Sequence, residues 1–133
     1  MKAITFRLKP GQLLKEEIER RAVEMDIEAG VLLSIVGALR QATLRMAGAK
    51  PGNEMIRLFP GPLEIVSGTG TISREGCHLH ISVSDANGAV FGGHLKGGCI
   101  VDVTAEIVIA VFDGIPYKRV MDHETGYKEL MLE

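Results

Sequence analysis

The sequence predicts one domain of mixed α and β structure, in which a single amphipathic helix is followed by many strands. The chain has 133 residues, of which 46% are hydrophobic, and a chain of this size buries a core without disulfides. Residues Lys2–Leu8 alternate apolar and polar side chains, which is typical of a half-buried strand. Residues Gln12–Asp26 place apolar side chains at helical spacing beside a charged, solvated face. No repeat or linker divides residues 1–133, so we expect a single domain.

Apolar runs and alternating patterns predict further strands through the rest of the chain. They are Val31–Leu39 with Ala42–Ala47 as its neighbour, Glu54–Phe59, Leu63–Ser73, Cys77–Ser84 and Cys99–Phe112. In the last of these, every second residue from Cys99 to Val111 contributes to one unbroken apolar face. Loop signals at Pro60-Gly61-Pro62 end the strand that begins at Glu54. Lys118–Met121 and Tyr127–Leu132 are expected to form a closing hairpin.

Three of the four histidines fall close together, as His78, His80 and His94. His78 and His80 share one face of a strand because side chains alternate between faces. The turn Asp85-Ala86-Asn87-Gly88 has Asp at the start of a type I turn and Gly at the position that needs a left-handed residue. Such a three-residue hairpin pairs Asp85 with Ala89 and sets His80 opposite His94. A two-residue Asn-Gly turn would instead turn His94 to the other face.

The three imidazoles, together with a water or a carboxylate, describe an open zinc site of the catalytic kind. The alternative is that these histidines are simply hydrogen-bonded on a polar face. His123 lies in a polar segment without partners at ligand spacing, so it is interpreted as a surface turn residue. Cys77 is adjacent to His78 but points to the opposite face of a regular strand, so a core thiol is the preferred interpretation over a fourth ligand.

Two glycines are candidates for a ligand-proximal position above the histidines. If Ser73–Gly76 forms a turn of the same three-residue type, Gly70 lies opposite His80 and Gly68 lies opposite Ser82. Bare glycines there would leave room for a ligand or an approaching backbone. The alternative is an ordinary bulge or local flexibility.

Glu106 is the candidate catalytic residue. It lies in the middle of the predicted strand Cys99–Phe112 between apolar neighbours, where a carboxylate is costly unless it is paired or bound. The alternative is a structural hydrogen bond or salt bridge. Glu64 has the parity of the histidine face, but it lies about 20 Å along a straight strand from Gly70, at about 3.3 Å per residue.

Charge and composition limit the classes of function. Fifteen basic and seventeen acidic residues give a net charge of −2 and a pI near 6.1, which weighs against unaided binding to duplex DNA. A folded chain or an oligomer could still collect Arg40, Arg45, Lys50 and Arg57 on one side. No apolar run approaches the roughly 20 residues that span a bilayer, so no membrane association is expected. Two cysteines and no signal peptide favour a reduced, cytoplasmic location.

An ordered set of motifs closely resembles the PPC domain, the plants and prokaryotes conserved domain. The motifs are Gly61–Ser73, His78-Leu79-His80, Asn87-Gly88, Gly92-Gly93-His94-Leu95, Gly98-Cys99 and Thr125–Leu130. The resemblance implies a single α+β domain, with a largely antiparallel sheet and helical cover, that assembles as a homotrimer. Stand-alone prokaryotic members are commonly described as DNA-binding, and plant relatives add AT-hook segments. No Arg-Gly-Arg-Pro core of an AT-hook is present in this sequence.

The resemblance also implies a partner-binding stretch and two kinds of function. In the plant relatives the stretch matched by Leu63, Glu64, Ile65 and Val66 contacts partner proteins. The expected function is therefore a homotrimeric module, with a zinc site, that acts on DNA or in transcription through partners. The implied fold is similar to that of acetolactate decarboxylase and of a zinc-dependent ester hydrolase. The alternative is thus a zinc-dependent lyase or hydrolase for a small carbonyl or carboxylate compound, and a purely scaffolding trimer is a third possibility.

Overall fold

The computed structural model of the chain describes residues 1–132, which form eight strands and one helix. In chain order they are β1 (Lys2–Leu8), α1 (Leu14–Glu24), β2 (Gly30–Arg45), β3 (Ile56–Ser73), β4 (Gly76–Ser84), β5 (Val90–Leu95), β6 (Ile100–Val111), β7 (Lys118–Met121) and β8 (Lys128–Met131). The predicted α+β class is confirmed. No helix within residues 1–132 has the length and apolar character needed to cross a membrane.

Six strands form one antiparallel sheet in the order β1-β6-β2-β3-β4-β5. One edge of β2 is shared between two partners, because Gly30–Gln41 pairs with β6 while Leu44 and Arg45 pair with β5. The last pairing closes β2, β3, β4 and β5 into a ring. β7 and β8 form a separate two-stranded sheet, which confirms the predicted closing hairpin.

The core lies between the inner face of the sheet and α1. The helix buries one face through Leu14, Ile18 and Ala22, while Arg20 and Glu24 are exposed. The largest fully buried side chains of the strands include Leu39, Leu44, Leu79, Leu95, Ile107 and Ile109. Burying each large aliphatic side chain stabilises the fold by about 1.5–3 kcal/mol, so the helix and the sheet hold each other in place.

β2 is one continuous strand, whereas the sequence predicted two neighbouring strands, Val31–Leu39 and Ala42–Ala47. That prediction is wrong because the polar residues Arg40 and Gln41 form a β-bulge and do not end the strand. The pairing shifts between Leu39 and Gln41 on both edges of β2. A bulge adds a residue and bends the strand while the ladder continues on either side.

β3 likewise runs through Pro60-Gly61-Pro62, which the sequence predicted to be a loop. Pro60 pairs with Gln41, so the prolines lie at the bulge, where the ladder is already disrupted and a missing N–H is tolerated. Gly61 is needed there because a β carbon at this position would overlap the carbonyl oxygen of Arg40. Pro60, Gly61 and Pro62 therefore fit the irregular geometry of the bulge and do not end the strand.

The predicted unbroken apolar face of β6 is interrupted at Val103. The pairing with β2 shifts from Gly37↔Ala105 to Ala38↔Asp102, and Val103 has φ +58° and a 63% exposed side chain. Positive φ is rare for a β-branched residue. The Arg7 guanidinium supports this bulge by donating to the carbonyl oxygen of Val103 at 3.0 Å. The outer face of the sheet thus gains an exposed valine.

Gly92 allows β5 to approach β4 closely, and this packing generates a stability prediction. A β carbon at Gly92 would overlap the carbonyl oxygen of Ile81 on β4. We expect Gly92→Ala to lower the free energy of unfolding by about 1–3 kcal/mol, measured by urea denaturation. Gly97→Ala is the matched control, because the nearest atom to its β carbon is a Glu16 oxygen at 3.5 Å. A Gly92→Ala variant as stable as Gly97→Ala would contradict the prediction.

Candidate metal centre

The turn between β4 and β5 sets the register that the sequence predicted. Asp85 N donates to the carbonyl oxygen of Ala89 at 3.0 Å, and Gly88 N donates to that of Asp85 at 3.0 Å. The Asp85 carboxylate accepts from Asn87 N at 2.9 Å and from Ala89 N at 3.0 Å. Gly88 has φ +80°, the left-handed conformation that this turn requires. His80 consequently pairs with His94, so the three-residue turn is confirmed.

The three predicted histidines meet on the outer face of the sheet. The ring centroids of His78, His80 and His94 are 4.8–5.4 Å apart, and their ligand atoms all lie within 4.8 Å of one another. Nε2 of His78 is 3.3 Å from Nε2 of His80. Two nitrogens bound to one Zn²⁺ at about 2.0–2.1 Å and a tetrahedral angle are about 3.3–3.4 Å apart. The His78–His80 pair therefore has the spacing of two zinc ligands, and a ligand atom of His94 lies within 4.8 Å of both.

Burial keeps two of these rings neutral, the form in which imidazole binds a metal. Burial, followed by the neighbouring His80 and Arg119, lowers the pKa of His78. Burial, followed by the Arg45 guanidinium, lowers the pKa of His94 to about 3. Nη2 of Arg45 lies 3.3 Å from Nδ1 of His94, which places a fixed positive charge beside this ring. Because these two imidazoles are neutral near pH 7, protons do not compete with a metal ion for them at that pH.

Of the cavities that border the histidines, the one that we call the basic cavity has a volume of about 410 Å³. Its lining includes His78 and His94 together with Arg45, Arg119 and Tyr127. A second, of about 280 Å³, borders His78 and His80 and also includes Arg119. The histidine cluster is thus open to space large enough for a small molecule, as a metal site with a free coordination position would require.

The β7–β8 hairpin forms one wall of these cavities. Nη2 of Arg119 donates to Oγ1 of Thr71 at 2.7 Å, and its backbone N–H donates to Glu75 at 2.7 Å. The Arg45 guanidinium lies 4.9 Å from the ring centroid of Tyr127. Arg119 was not identified from the sequence, and Tyr127 was noted only within the motif Thr125–Leu130. No local pattern joins these residues to histidines so far away along the chain.

The predicted register between β3 and β4 is wrong by one residue. Ser73 pairs with Gly76, so the turn has two residues, and Thr69, not Gly70, lies opposite His80. Long-range contacts impose this turn, since Arg74 N donates to the carbonyl oxygen of Ile27 at 2.7 Å. The glycines are consequently on the core side, with Gly68 paired to Ile81 and Gly70 paired to Leu79.

Gly70 has a structural requirement in this register. Its φ is +142°, and a β carbon there would overlap the carbonyl oxygen of His78. Gly70 therefore lets β3 approach the histidine strand closely. Both Gly68 and Gly70 still line grooves beside the histidines, and their proximity to a ligand stays a prediction.

Glu106 does not lie near the histidines within one chain. It is exposed on β6 and pairs with Val36 of β2, whereas His94 pairs with Arg45. Val36 and Arg45 are about 30 Å apart along the strand at about 3.3 Å per residue. Within one chain, Glu106 is therefore remote from the three histidines. The carboxylates beside the histidines are Glu19, Glu75 and Glu129, which the sequence did not single out.

The remaining predicted residues are distributed as follows. Leu63 and Ile65 of the partner-binding stretch are buried, while Glu64 and Val66 are exposed.

Cys77 packs against the core, and burial raises its pKa to about 12, so the interpretation as a core thiol is confirmed. His123 lies exposed in the turn between β7 and β8, as predicted.

The fold and the histidine cluster define a class of small α+β domain that gathers imidazoles on the outer face of an antiparallel sheet. The family model described as the Plants and Prokaryotes Conserved (PCC) domain matches residues 1–113, and the chain belongs to this family. Two proteins called bifunctional protein GlmU, from two Synechococcus strains, are each 44% identical over 100% of this chain. The chain spans 20% and 21% of their length.

Solved structures of similar proteins support the fold. A hypothetical protein from Salmonella enterica is 31% identical, with a TM-score of 0.91 over 99% of this chain and 93% of that one. A metal-containing protein from Archaeoglobus fulgidus is 27% identical, with a TM-score of 0.85 over 98% and 94%. A "putative DNA-binding protein" from Bacteroides thetaiotaomicron is 20% identical, with a TM-score of 0.84 over 98% and 92%.

The predicted likeness to the acetolactate decarboxylase-like fold is also found. A Staphylococcus aureus protein described as similar to alpha-acetolactate decarboxylase has a TM-score of 0.51 and 19% identity. The match covers 85% of this chain and 54% of that one. At this identity the likeness concerns the fold alone.

Proposed function

We propose that this chain is a zinc-binding PCC-family domain that assembles as a cytoplasmic homotrimer and works in a DNA- or transcription-associated complex. The observation behind the metal site is the 3.3 Å separation of the His78 and His80 Nε2 atoms, with His94 completing the set. The similar Archaeoglobus protein is named as metal-containing, which supports a metal here. Zinc suits the donor set because three imidazoles and one open position are a common zinc arrangement.

The metal site is tested by zinc content. We expect protein purified without chelator to hold about one zinc per chain, measured by mass spectrometry of the digested protein. His80→Ala removes one of three ligands and should lower zinc affinity by more than about 100-fold, since losing even an outer partner of a ligand costs about 10–100-fold. His123→Ala, which changes the exposed turn histidine, is the control and should retain zinc. Equal zinc content in the two variants would exclude the site.

An apolar patch on the outer face of the sheet supports self-association. Val36, Val66 and Val103 lie on the neighbouring strands β2, β3 and β6, and their side chains are 53%, 50% and 63% exposed. Val36 and Val66 each lie next to the pair Gly37↔Ile65. Clustered exposed valines on a sheet face are typical of an interface. We propose that further copies of this chain cover this patch in the homotrimer.

The assembly is tested by a charge placed in the patch. We expect the parent protein to sediment at three times the 14.4 kDa of one chain. Val36→Glu should sediment as a monomer, because burying an unpaired carboxylate in an apolar interface is strongly unfavourable. Val23→Glu on α1, where the valine is 61% exposed, is the matched control and should leave the assembly intact. A trimeric Val36→Glu variant would place the interface elsewhere.

We infer that association with DNA runs through partner proteins. Two of the basic residues that could form a DNA-binding face lie beside carboxylates, Arg40 at 3.6 Å from Asp102 and Arg45 at 3.7 Å from Glu54. With a net charge of −2, the chain has little surplus charge to neutralise phosphates. The exposed Glu64 and Val66 remain the proposed partner contacts.

The route to DNA is tested with purified protein alone. We expect no retardation of an A·T-rich duplex near 0.15 M salt, measured by electrophoresis over a salt series. Retardation that persists at this salt and weakens steeply above it would show phosphate contacts. That result would contradict a route through partners only.

The alternative function is a zinc-dependent lyase or hydrolase for a small carbonyl or carboxylate compound. The specific observation in its favour is the basic cavity beside His78 and His94, since a metal centre in a purely structural role is closed. A bound zinc ion would supply Lewis acidity there. Zinc-dependent turnover of a small keto acid or ester, absent from His80→Ala, would favour this alternative.

A further inference from the structure

The basic cavity has a charge opposite in sign to that of the whole chain. Its charged lining consists of Lys15, Arg45, Lys96, Arg119 and Lys128 on the basic side and Glu19, Glu75 and Glu129 on the acidic side. These residues give the cavity a formal charge of +2, whereas the chain has a net charge of −2. A metal ion held by the histidines would add further positive charge. An anion is therefore attracted to this part of the surface.

The acidic residues of the cavity are already engaged, and most of the basic ones are not. Each carboxylate accepts a hydrogen bond: Glu19 from Lys15 at 2.7 Å, Glu75 from the backbone of Arg119 at 2.7 Å, and Glu129 from Thr125 at 2.9 Å. Lys96, Arg119 and Lys128 have no carboxylate within 4.0 Å among residues 1–132. Their charges are available to a ligand.

Arg119 has the most favourable position of the unpaired basic residues. It lines both cavities that border His78, and its hydrogen bond to Thr71 at 2.7 Å fixes the side chain. One guanidinium carries five N–H donors, so the others remain for a bound molecule. A guanidinium held in one orientation binds carboxylate and phosphate groups with two parallel hydrogen bonds.

Tyr127 adds an unsatisfied polar group to the same wall. Its hydroxyl is enclosed and has no hydrogen-bond partner within residues 1–132, a costly state for a buried polar group. The Arg45 guanidinium over its ring lies 4.9 Å from the ring centroid. A small adjustment of this pair on binding would give the hydroxyl an oxygen partner. Tyr127 and Arg45 thus form a second polar contact beside His94.

We propose that the basic cavity binds a small oxyanion, with a carboxylate or phosphate group on Arg119, beside Tyr127 and the Arg45 that pairs with Glu54, and a further oxygen directed to the ion held by the histidines. The contact between the ligand oxygen and the ion rests on the proposed zinc site. The contact between the anionic group and the basic residues does not depend on zinc. The cavity volume of about 410 Å³ suits a small molecule, and the β7–β8 hairpin encloses it on one side.

The experiment measures binding of malonate and of inorganic phosphate by calorimetry, to zinc-loaded and to chelator-treated protein. Malonamide, the neutral analogue of malonate, should not bind detectably. Arg119→Gln should weaken binding of the preferred anion about tenfold or more, the expected loss for a charge-assisted pair. Arg20→Gln is the matched control, since Arg20 pairs with Glu17 and Glu24 on the exposed face of α1. It should bind within about twofold of the parent.

The outcomes separate this inference from the zinc site. Tighter malonate binding identifies a carboxylate ligand, and tighter phosphate binding identifies a phosphate ester. If Arg119→Gln keeps the zinc content of the parent and loses the anion, the inference is supported. If no variant holds zinc, the proposed metal site fails, and the anion titrations of chelator-treated protein still decide the role of Arg119. Anion affinity in Arg119→Gln equal to that in Arg20→Gln overturns the inference.

Discussion

The pairing of β4 with β5 is the constraint on which the whole site depends. The Asp85 carboxylate and the left-handed Gly88 fix a three-residue turn, and that turn decides which residue lies opposite His80. A shift of one residue would send His94 to the core face, because side chains alternate along a strand. Leu95 would then leave the core, where it is 1% exposed. Turn chemistry and core burial therefore select the same register.

The closure of the sheet adds a second constraint at the same place. β2 pairs with β5 only at Leu44 and Arg45, so one short contact both completes the ring and sets Arg45 beside His94. The β-bulge at Arg40 and Gln41 bends β2 away from β6 just before this contact. The β2–β5 pairing beyond this bulge places Arg45 beside His94. The position of Arg45 follows from the curvature of the sheet.

The histidine cluster is predictable from the sequence whereas the register around it is not, and the difference has a physical reason. The turn at Asp85–Gly88 is specified by its own residues, so local chemistry sufficed. The turn at Ser73–Gly76 is joined to a distant segment by a hydrogen bond from Arg74 N to the carbonyl oxygen of Ile27, which no local pattern reveals. Pro60-Gly61-Pro62 resembled a loop because its role in a bulge exists only opposite Arg40. Residues whose conformation depends on distant partners were those that sequence analysis misjudged.

The net charge of the chain likewise differs from the charge that the fold collects around one cavity. A net charge of −2 describes the average surface of the chain. It says nothing about how charges group in three dimensions, and the fold collects five basic residues around one cavity. They come from α1, β2, the segment after β5, and the β7–β8 hairpin. Because Lys96, Arg119 and Lys128 have no carboxylate within 4.0 Å among residues 1–132, a compact anion suits this cavity better than an extended polyanion does.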